Sequence, residues 1–227
     1  MTSEIRAVLF DLDNTLTISE DFAAEVLSAA ALQHGHEIHA DVILCYPGAV
    51  YVPLLQELTG MHESTAREIY RTYADSYVSM MPGRLLPTLG AEPLIAALAA
   101  RGIPLALVTN KPHALASAVL ELFGWTSAFA IVVGNDSTAN HKPHPEPALA
   151  ALTALGCTAE QAAFVGDAAG DMQCGRSAGI ATLIALVGTT GHAELQSAGA
   201  THLCHTLHEV LDVLIPDVAR RDAELAT

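Results

Sequence analysis

The sequence predicts a doubly wound, Rossmann-like α/β fold, in which helices cover both faces of a parallel sheet and a small helical cap is inserted. Short apolar runs typical of buried strands recur along the chain, and four of them end in polar residues. Ala- and Leu-rich segments with helical spacing lie between these runs. Strands that alternate with helices indicate parallel strands joined by helical crossovers.

The first predicted strand covers residues 7–10 and is followed directly by Asp11-Leu12-Asp13. Both acids therefore lie at the carboxyl end of a buried strand, which is the edge where open α/β sheets bind ligands. Two neighbouring carboxylates are costly unless a cation joins them, and Mg²⁺ takes one or two carboxylates together with phosphate oxygens. An Asp-x-Asp pair also occurs in calcium loops and turns, so this pair alone does not decide the chemistry.

Three further predicted strands also lead into polar residues. Strand 103–108 is followed by Thr109-Asn110-Lys111, and strand 129–133 leads to Lys142, so the chain's only two lysines both follow strands. Strand 162–165 is followed by Asp167, with Asp171 one helical turn later. Because the carboxyl ends of parallel strands share one edge, we expect a single site there. Its expected members are Asp11, Asp13, Thr109, Asn110, Lys142, Asp167 and Asp171.

The segment between Asp11 and Thr109 is about three times as long as the roughly 30 residues of a βαβ crossover, although both residues should end neighbouring strands. Residues 19–80 have helical patterning, with Ser19 as a candidate helix cap and a helix over 63–80. All five tyrosines lie in this segment. We therefore expect a core of residues 1–16 and 84–227 and a helical cap of residues 17–83.

The last third of the chain continues the alternation. We expect a helix that ends near Gly179, a strand at 180–185, a short strand at 202–203 and a closing helix over 207–214. Residues after Pro216 are expected to fray.

Composition argues against several functions. The formal net charge of −15 disfavours a nucleic-acid partner, because phosphate contacts need Lys and Arg, and it also disfavours long-range steering of an anionic substrate. No apolar stretch approaches the roughly 20 residues that span a bilayer, and no signal-peptide pattern opens the chain. The four cysteines lack Cys-x-x-Cys spacing and are typical of reduced thiols. We therefore expect a cytoplasmic protein with no nucleic-acid or membrane partner.

Four ordered motifs resemble those of the haloacid dehalogenase (HAD) superfamily. They are Asp11-x-Asp13-x-Thr15, Thr109-Asn110, Lys142-Pro143 and Gly166-Asp167-x-x-x-Asp171. The segments 108–112 and 142–147 are similar to its phosphoglycolate phosphatase-like branch. Two residues depart from the pattern: Asn14 stands where the family often has Gly, and Ala168 stands where the branch usually has Ser or Thr. We expect Asn14 to alter only a turn, and Ala168 to remove a hydroxyl near the metal.

The resemblance implies a Mg²⁺-dependent phosphatase of small phosphomonoesters, with 2-phosphoglycolate as the leading candidate substrate. Asp11 would attack phosphorus to form an aspartyl-phosphate. Asp13 would protonate the leaving oxygen and later deprotonate the hydrolytic water. Asp11, Asp13 and Asp167 would hold the metal, while Asp171 would hold either a metal-bound water or Lys142.

The remaining implied roles concern the phosphoryl group and the substrate. Thr109 and Asn110 would donate hydrogen bonds to the phosphoryl group, and Lys142 would offset its charge. Lys111 either contacts substrate or is a solvated loop lysine. Arg67 and Arg71, four residues apart on one predicted cap helix, either grip a substrate carboxylate or form a surface pair.

Other functions share parts of this pattern. A β-phosphoglucomutase-like phosphotransferase would use the same core residues, and would differ in whether the cap admits water. A haloacid dehalogenase would not need Asp13 or the metal set. A phospho-acceptor receiver module also places an acid cluster and a Lys on a parallel sheet, but it is shorter and its acceptor normally follows the third strand. A catalytically retired scaffold would not need intact acids.

Overall fold

Strands and helices alternate along most of the chain. The computed structural model describes residues 5–188 and 190–216. Its first elements are β1 (Ala7–Phe10), β2 (Thr17–Ile18), α1 (Glu20–Gln33), α2 (Ala40–Ile43), α3 (Tyr51–Thr59), α4 (Glu63–Met80) and β3 (Leu86–Pro87). The later elements are α5 (Ala91–Ala99), β4 (Leu105–Val108), α6 (His113–Leu122), β5 (Phe129–Val133), α7 (Glu146–Leu155), β6 (Ala162–Gly166), α8 (Ala169–Ser177), β7 (Thr182–Leu186), α9 (His192–Ala198), β8 (His202–Cys204) and α10 (Leu207–Leu214).

Six strands form one parallel sheet in the order β5-β4-β1-β6-β7-β8. Strand β1 lies between β4 and β6, so the chain order reverses beside it, and ligands bind at such a switch point. The predicted doubly wound fold is confirmed. The strand predicted from residue 103 begins instead at Leu105, after Pro104, which has no N–H to donate to the ladder.

The sheet is buried on both faces, which explains why its strands are almost wholly apolar. Every residue of β1, β4 and β6 is buried. Successive side chains point to opposite faces, so Val8 and Phe10 join one apolar cluster while Leu9 joins the other.

Four helices, α1 to α4, lie between β2 and β3. The two short strands pair antiparallel, Thr17 with Pro87 and Ile18 with Leu86, so the chain leaves and returns through a two-stranded ribbon. Helical structure over the whole of 19–80 is wrong for residues 34–39, 44–50 and 60–62. Gly35 and Gly48 adopt positive φ angles of 79° and 69° there, a conformation that ends a helix.

The tyrosines hold the helical segment together. Tyr73 packs against Tyr51, Tyr70 and Tyr77, with ring centroids 5.1, 5.6 and 5.5 Å away, and Phe22 of α1 lies 4.9 Å from Tyr77. These rings join α1, α3 and α4, and Tyr73 and Tyr77 are fully buried. Aromatic burial therefore supplies much of the packing between these helices.

The remaining sequence expectations concern membranes, thiols and the C-terminus. Among the described residues, no helix combines the length and the apolar character that crossing a bilayer requires. All four cysteines are free thiols. The segment expected to fray, beyond Pro216, lies outside the described residues.

Candidate active site

The carboxyl ends of the three adjacent strands β4, β1 and β6 converge on one cavity of about 220 Å³. The loop between β5 and α7 contributes Lys142 to the same cavity. The cavity is lined by the seven residues that were expected at the sheet edge and by Lys111, for which a substrate contact was one of two alternatives. The seven are Asp11, Asp13, Thr109, Asn110, Lys142, Asp167 and Asp171.

Three buried acids and one lysine form the centre of the site. Asp11, Asp167 and Asp171 each offer a carboxylate oxygen within 4.8 Å of the others. Lys142 Nζ lies 2.6 Å from Asp11 Oδ1 and 2.6 Å from Asp171 Oδ1. The second oxygen of Asp171 accepts the Ala168 N–H at 3.0 Å. Of the two partners expected for Asp171, the structure therefore shows Lys142.

Burial and mutual repulsion disfavour ionisation of these acids. Burial raises the pKa of Asp11 to about 7; Lys142 opposes this rise, and Asp171 and Asp13 add to it. Burial, with Asp171 and Asp11, also raises the pKa of Asp167 well above its usual range. Burial favours the neutral form of Lys142, but Asp11 and Asp171 outweigh it and raise the pKa of Lys142. The cluster thus carries more negative charge than its one lysine balances.

The donor set fits a divalent cation of the magnesium type. Three carboxylates against one ammonium leave two negative charges when all are ionised, and Mg²⁺ is a hard cation that prefers such oxygen ligands. Both oxygens of Asp171 already have partners, so Asp11 and Asp167 are the better placed ligands. Asp13 lies outside this group of three.

Asp13 faces the cap side of the site. Its Oδ1 accepts a hydrogen bond from Ser19 Oγ at 2.6 Å and lies 3.0 Å from Lys111 Nζ. Ser19 occupies the N-cap position of α1, as expected, but its hydroxyl makes no cap hydrogen bond. The hydroxyl holds the Asp13 carboxylate instead, and no sequence pattern indicated this contact.

Thr109 and Asn110 differ in what they can still donate. Thr109 Oγ1 accepts the Lys111 N–H at 3.1 Å, which leaves its hydroxyl proton for another acceptor. Asn110 Nδ2 donates to Gly48 O at 2.9 Å and to Lys142 O at 3.2 Å. Both amide protons are thus used, so the expected side-chain donation from Asn110 to a phosphoryl group does not fit this arrangement. Within the described chain, its buried Oδ1 has no hydrogen-bond partner.

Lys111 is a buried site residue, so the alternative of a solvated loop lysine is wrong. It is 8% exposed, and its Nζ lies 4.6 Å from the centroid of the Tyr77 ring. Burial favours its neutral form, but Asp13 and the neighbouring tyrosines together outweigh this effect, and the pKa of Lys111 lies well above its usual value.

Sequence reasoning missed contacts made by Thr15, Asn14 and Glu20. Thr15 Oγ1 donates to Asp167 Oδ1 at 3.2 Å, although only its place in the first motif hinted at the site. Asn14 adopts a left-handed φ of 56°, which Asn tolerates better than most residues, and its Nδ2 donates to Glu20 Oε2 at 2.5 Å. Both Asn14 and Glu20 line the cavity. The expectation that Asn14 alters only a turn is therefore wrong.

The cap wall of the cavity is aromatic and apolar. The cap residues that line it are Ala23, Ala24, Ile43, Leu44, Tyr46, Pro47, Gly48, Ala49, Tyr51, Tyr70 and Tyr73, together with Glu20. Arg67 and Arg71 are exposed and do not line it, and Arg67 pairs with Glu63 at 2.6 Å. Of the two expectations for these arginines, the surface location is the one observed.

Comparison with known proteins points to one family. The model of the haloacid dehalogenase-like hydrolases matches residues 8–185. A phosphoglycolate phosphatase of Xylella fastidiosa is 31% identical, with 83% of each chain covered, and the pyrophosphatase PpaX of Halalkalibacterium halodurans is 27% identical over 93% of this chain and 97% of its own. CbbY from Rhodobacter sphaeroides, solved with xylulose-1,5-bisphosphate, superposes with a TM-score of 0.80 at 23% identity over 89% of this chain and 94% of its own.

Proposed function

Because this chain belongs to the haloacid dehalogenase-like hydrolase family, we propose that it is a Mg²⁺-dependent phosphatase of small phosphomonoesters that works through an aspartyl-phosphate. The observation that carries the proposal is the contact of Asp11 with Lys142 inside a buried acid cluster, with Asp13 lining the same cavity. The receiver-module alternative is wrong, because the chain belongs to a family of hydrolases.

In the first proposed step, an oxygen of Asp11 forms a bond to phosphorus while the bond from phosphorus to the leaving oxygen breaks. Lys142 lies 2.6 Å from that carboxylate and offsets the charge that gathers there. Asp13 gives its proton to the leaving oxygen, so the product departs as a neutral alcohol. The Ser19 hydroxyl holds Asp13 in place for this transfer.

In the second proposed step, Asp13 takes a proton from water as the water oxygen bonds to phosphorus and the Asp11–phosphorus bond breaks. Inorganic phosphate leaves and Asp11 is regenerated. The free hydroxyl proton of Thr109 is available to the phosphoryl oxygens. We propose that Asp11 and Asp167 hold the Mg²⁺, which supplies charge stabilisation on the phosphoryl group; Asp13 as a third ligand stays a prediction.

We also propose that residues 17–83 act as a cap over a core of residues 1–16 and 84–227. The ribbon of β2 and β3 supports this division, because the segment leaves and rejoins the core through two adjacent strands. The contact of Asn110 with Gly48 joins a core loop to a cap loop over the cavity. Such a cap would exclude bulk water during turnover. The four free thiols support a reducing compartment such as the cytoplasm.

Phosphate release from a panel of small phosphomonoesters and pyrophosphate, with Mg²⁺ or with EDTA, tests the proposal. The relatives named phosphoglycolate phosphatase make 2-phosphoglycolate the first substrate to assay. We expect EDTA to abolish release and Mg²⁺ to restore it, and full activity in metal-free buffer would contradict the proposal. Isomerisation of a sugar phosphate without phosphate release would favour the mutase alternative.

A further inference from the structure

The charges that line the cavity bear on which phosphomonoester it accepts. Five acids line it, namely Asp11, Asp13, Glu20, Asp167 and Asp171, against two lysines. Lys142 lies 2.6 Å from Asp11 and Asp171, and Lys111 lies 3.0 Å from Asp13. Among the described lining residues there is no arginine or histidine. A substrate carboxylate would therefore meet no cation that lacks an acid partner.

Glu20 is the acid in this set that is neither a proposed metal ligand nor paired with a lysine. It is half-buried at the start of α1, and Asn14 Nδ2 donates to its Oε2 at 2.5 Å. It lines the same cavity as Asp11, Asp167 and Asp171. A carboxylate held by one amide donor still has lone pairs for further donors.

A second acceptor belongs to Asn110, which lines the same cavity. Asn110 Oδ1 is buried and has no partner among the described residues. Its identity as the oxygen follows from its neighbours, because the other amide atom contacts two carbonyl oxygens, Gly48 O and Lys142 O, and must be the nitrogen. A buried acceptor without a donor is unfavourable, so a ligand hydroxyl that donates here gains affinity.

The rest of the cap wall offers flat aromatic and aliphatic surface. Tyr51, Tyr70 and Tyr73 line it beside Ile43 and Leu44. Rings of this kind pack against the C–H faces of a carbon chain or sugar ring and place no charge there. The cavity, about 220 Å³, admits only a small organic group beside the phosphate.

We propose that the Asn14–Glu20 pair, with Asn110 Oδ1, recognises hydroxyl groups of the substrate, so that the enzyme prefers phosphomonoesters of small polyhydroxy compounds over carboxylate-bearing ones such as 2-phosphoglycolate. This inference rests on the proposed phosphatase function. Glu20 accepts a hydrogen bond from a hydroxyl and repels a carboxylate. Asn14 is a positioning residue, because it holds Glu20 without itself being required to touch the substrate.

Two matched pairs of substrates isolate this effect. 2-Hydroxyethyl phosphate differs from 2-phosphoglycolate, and glycerol 3-phosphate from 3-phosphoglycerate, in a CH₂OH group that replaces a carboxylate. For each pair the measured quantity is the ratio of kcat/KM for the hydroxyl substrate to that for the carboxylate substrate. We expect a ratio of at least about 10 for the natural protein, because the Glu20 carboxylate repels a substrate carboxylate.

Glu20→Gln keeps the size of the side chain and removes its charge, and we expect it to lower both ratios about tenfold. Glu68→Gln removes the same charge from an exposed position on α4 that does not line the cavity, and should leave both ratios as they are. Asn14→Gly should lower the ratios less, mainly through KM for the hydroxyl substrates. Glycine suits the φ of 56° at that position, so this variant tests the pair even if Glu20→Gln does not fold.

The outcomes separate the two proposals. Mg²⁺-dependent phosphate release with ratios below 1, or equal ratios for Glu20→Gln and Glu68→Gln, would overturn the hydroxyl preference and leave the phosphatase function standing. No Mg²⁺-dependent release from any of these four substrates or from p-nitrophenyl phosphate would overturn both.

Discussion

The core wall of the cavity is built from strand ends, whereas its cap wall comes from α1, the ends of α2 and α3, the loop between them, and α4. The core wall holds four acids and two lysines, and each lysine contacts at least one of the acids. The cap wall holds aromatic and aliphatic side chains and one acid, Glu20. Adjacent parallel strands hold the core groups in place, so this wall suits chemistry that needs fixed distances. The cap wall rests on packed rings and can vary with the substrate without disturbing that chemistry.

The largest effect on turnover is expected from substitutions in the core wall. Asp11→Asn should abolish turnover and the covalent intermediate, because an amide is a poor nucleophile towards phosphorus. Asp13→Asn should reduce turnover about 10²–10⁴-fold, since both proton transfers are lost. Phosphate release and acid-quenched protein labelling measure these changes. Asp21→Asn, at an exposed position on α1, is the control, and near-natural turnover by Asp13→Asn on an alkyl phosphate would remove its assigned role.

The buried and exposed ion pairs should differ sharply in stability. Lys142→Met leaves Asp11 and Asp171 buried without their cation, and breaking such a pair costs about 3–5 kcal/mol. Arg67→Met breaks the exposed pair with Glu63, which is worth less than about 1 kcal/mol. Urea unfolding in metal-free buffer gives both free energies. Similar losses in the two variants would mean that the core wall gains no special stability from Lys142.

We expect Mg²⁺ to stabilise the protein only through the carboxylates of the core wall. Mg²⁺ at 100 times its Kd should add about 2.7 kcal/mol to the free energy of unfolding of the natural protein. Asp167→Asn should lose most of this gain and should raise the stability of the metal-free protein, because it removes one of three crowded buried carboxylates. Thermal unfolding with and without Mg²⁺ checks both effects. An Asp167→Asn variant with an unchanged Mg²⁺ response would place the metal elsewhere.

A smaller effect is expected where α8 begins. Ala168 occupies the N-cap position, and the Asp171 carboxylate already accepts its N–H. Ala168→Ser would add a hydroxyl that accepts the Asp171 N–H, which completes a capping box worth about 1 kcal/mol. The same change at Ala169, inside the helix, should bring no gain. Thermal unfolding midpoints of the two variants test this prediction, and equal midpoints would contradict a stabilising cap in Ala168→Ser.

The smallest effect on stability is expected at the cap wall. The buried Tyr70 hydroxyl has no hydrogen-bond partner in the described part of the chain. Tyr70→Phe should therefore leave the free energy of unfolding the same or raise it by up to about 1 kcal/mol. Tyr51→Phe, also on the cap wall, is the comparison for turnover. A loss of stability above that amount in Tyr70→Phe would show that the hydroxyl has a structural partner.

The contrast between the two walls also explains which site residues could be predicted from the sequence. Asp11, Thr109 and Asp167 follow buried apolar runs, and the rule that parallel strands end at one edge was enough to bring them together. Ser19 and Glu20 form the start of α1, where Ser and Glu usually serve the helix itself, so their side chains gave no sign of facing Asp13 and Asn14. Arg67 and Arg71 had the right charge for a substrate carboxylate, but their face of α4 points to solvent.

The sequence by itself determined the parallel sheet, the helical insertion and the set of groups at the sheet edge, because strand and helix periods and strand-end positions are local properties of the chain. Three features were decided only by the tertiary structure. The Asn110 side-chain amide donates to the carbonyl oxygens of Gly48 and Lys142. Lys111 is buried beside Asp13, and Glu20 lines the cavity. Each of these depends on contacts between segments that are distant in the chain. Asp13 and Lys111, for example, are 98 positions apart, and no local pattern encodes their contact.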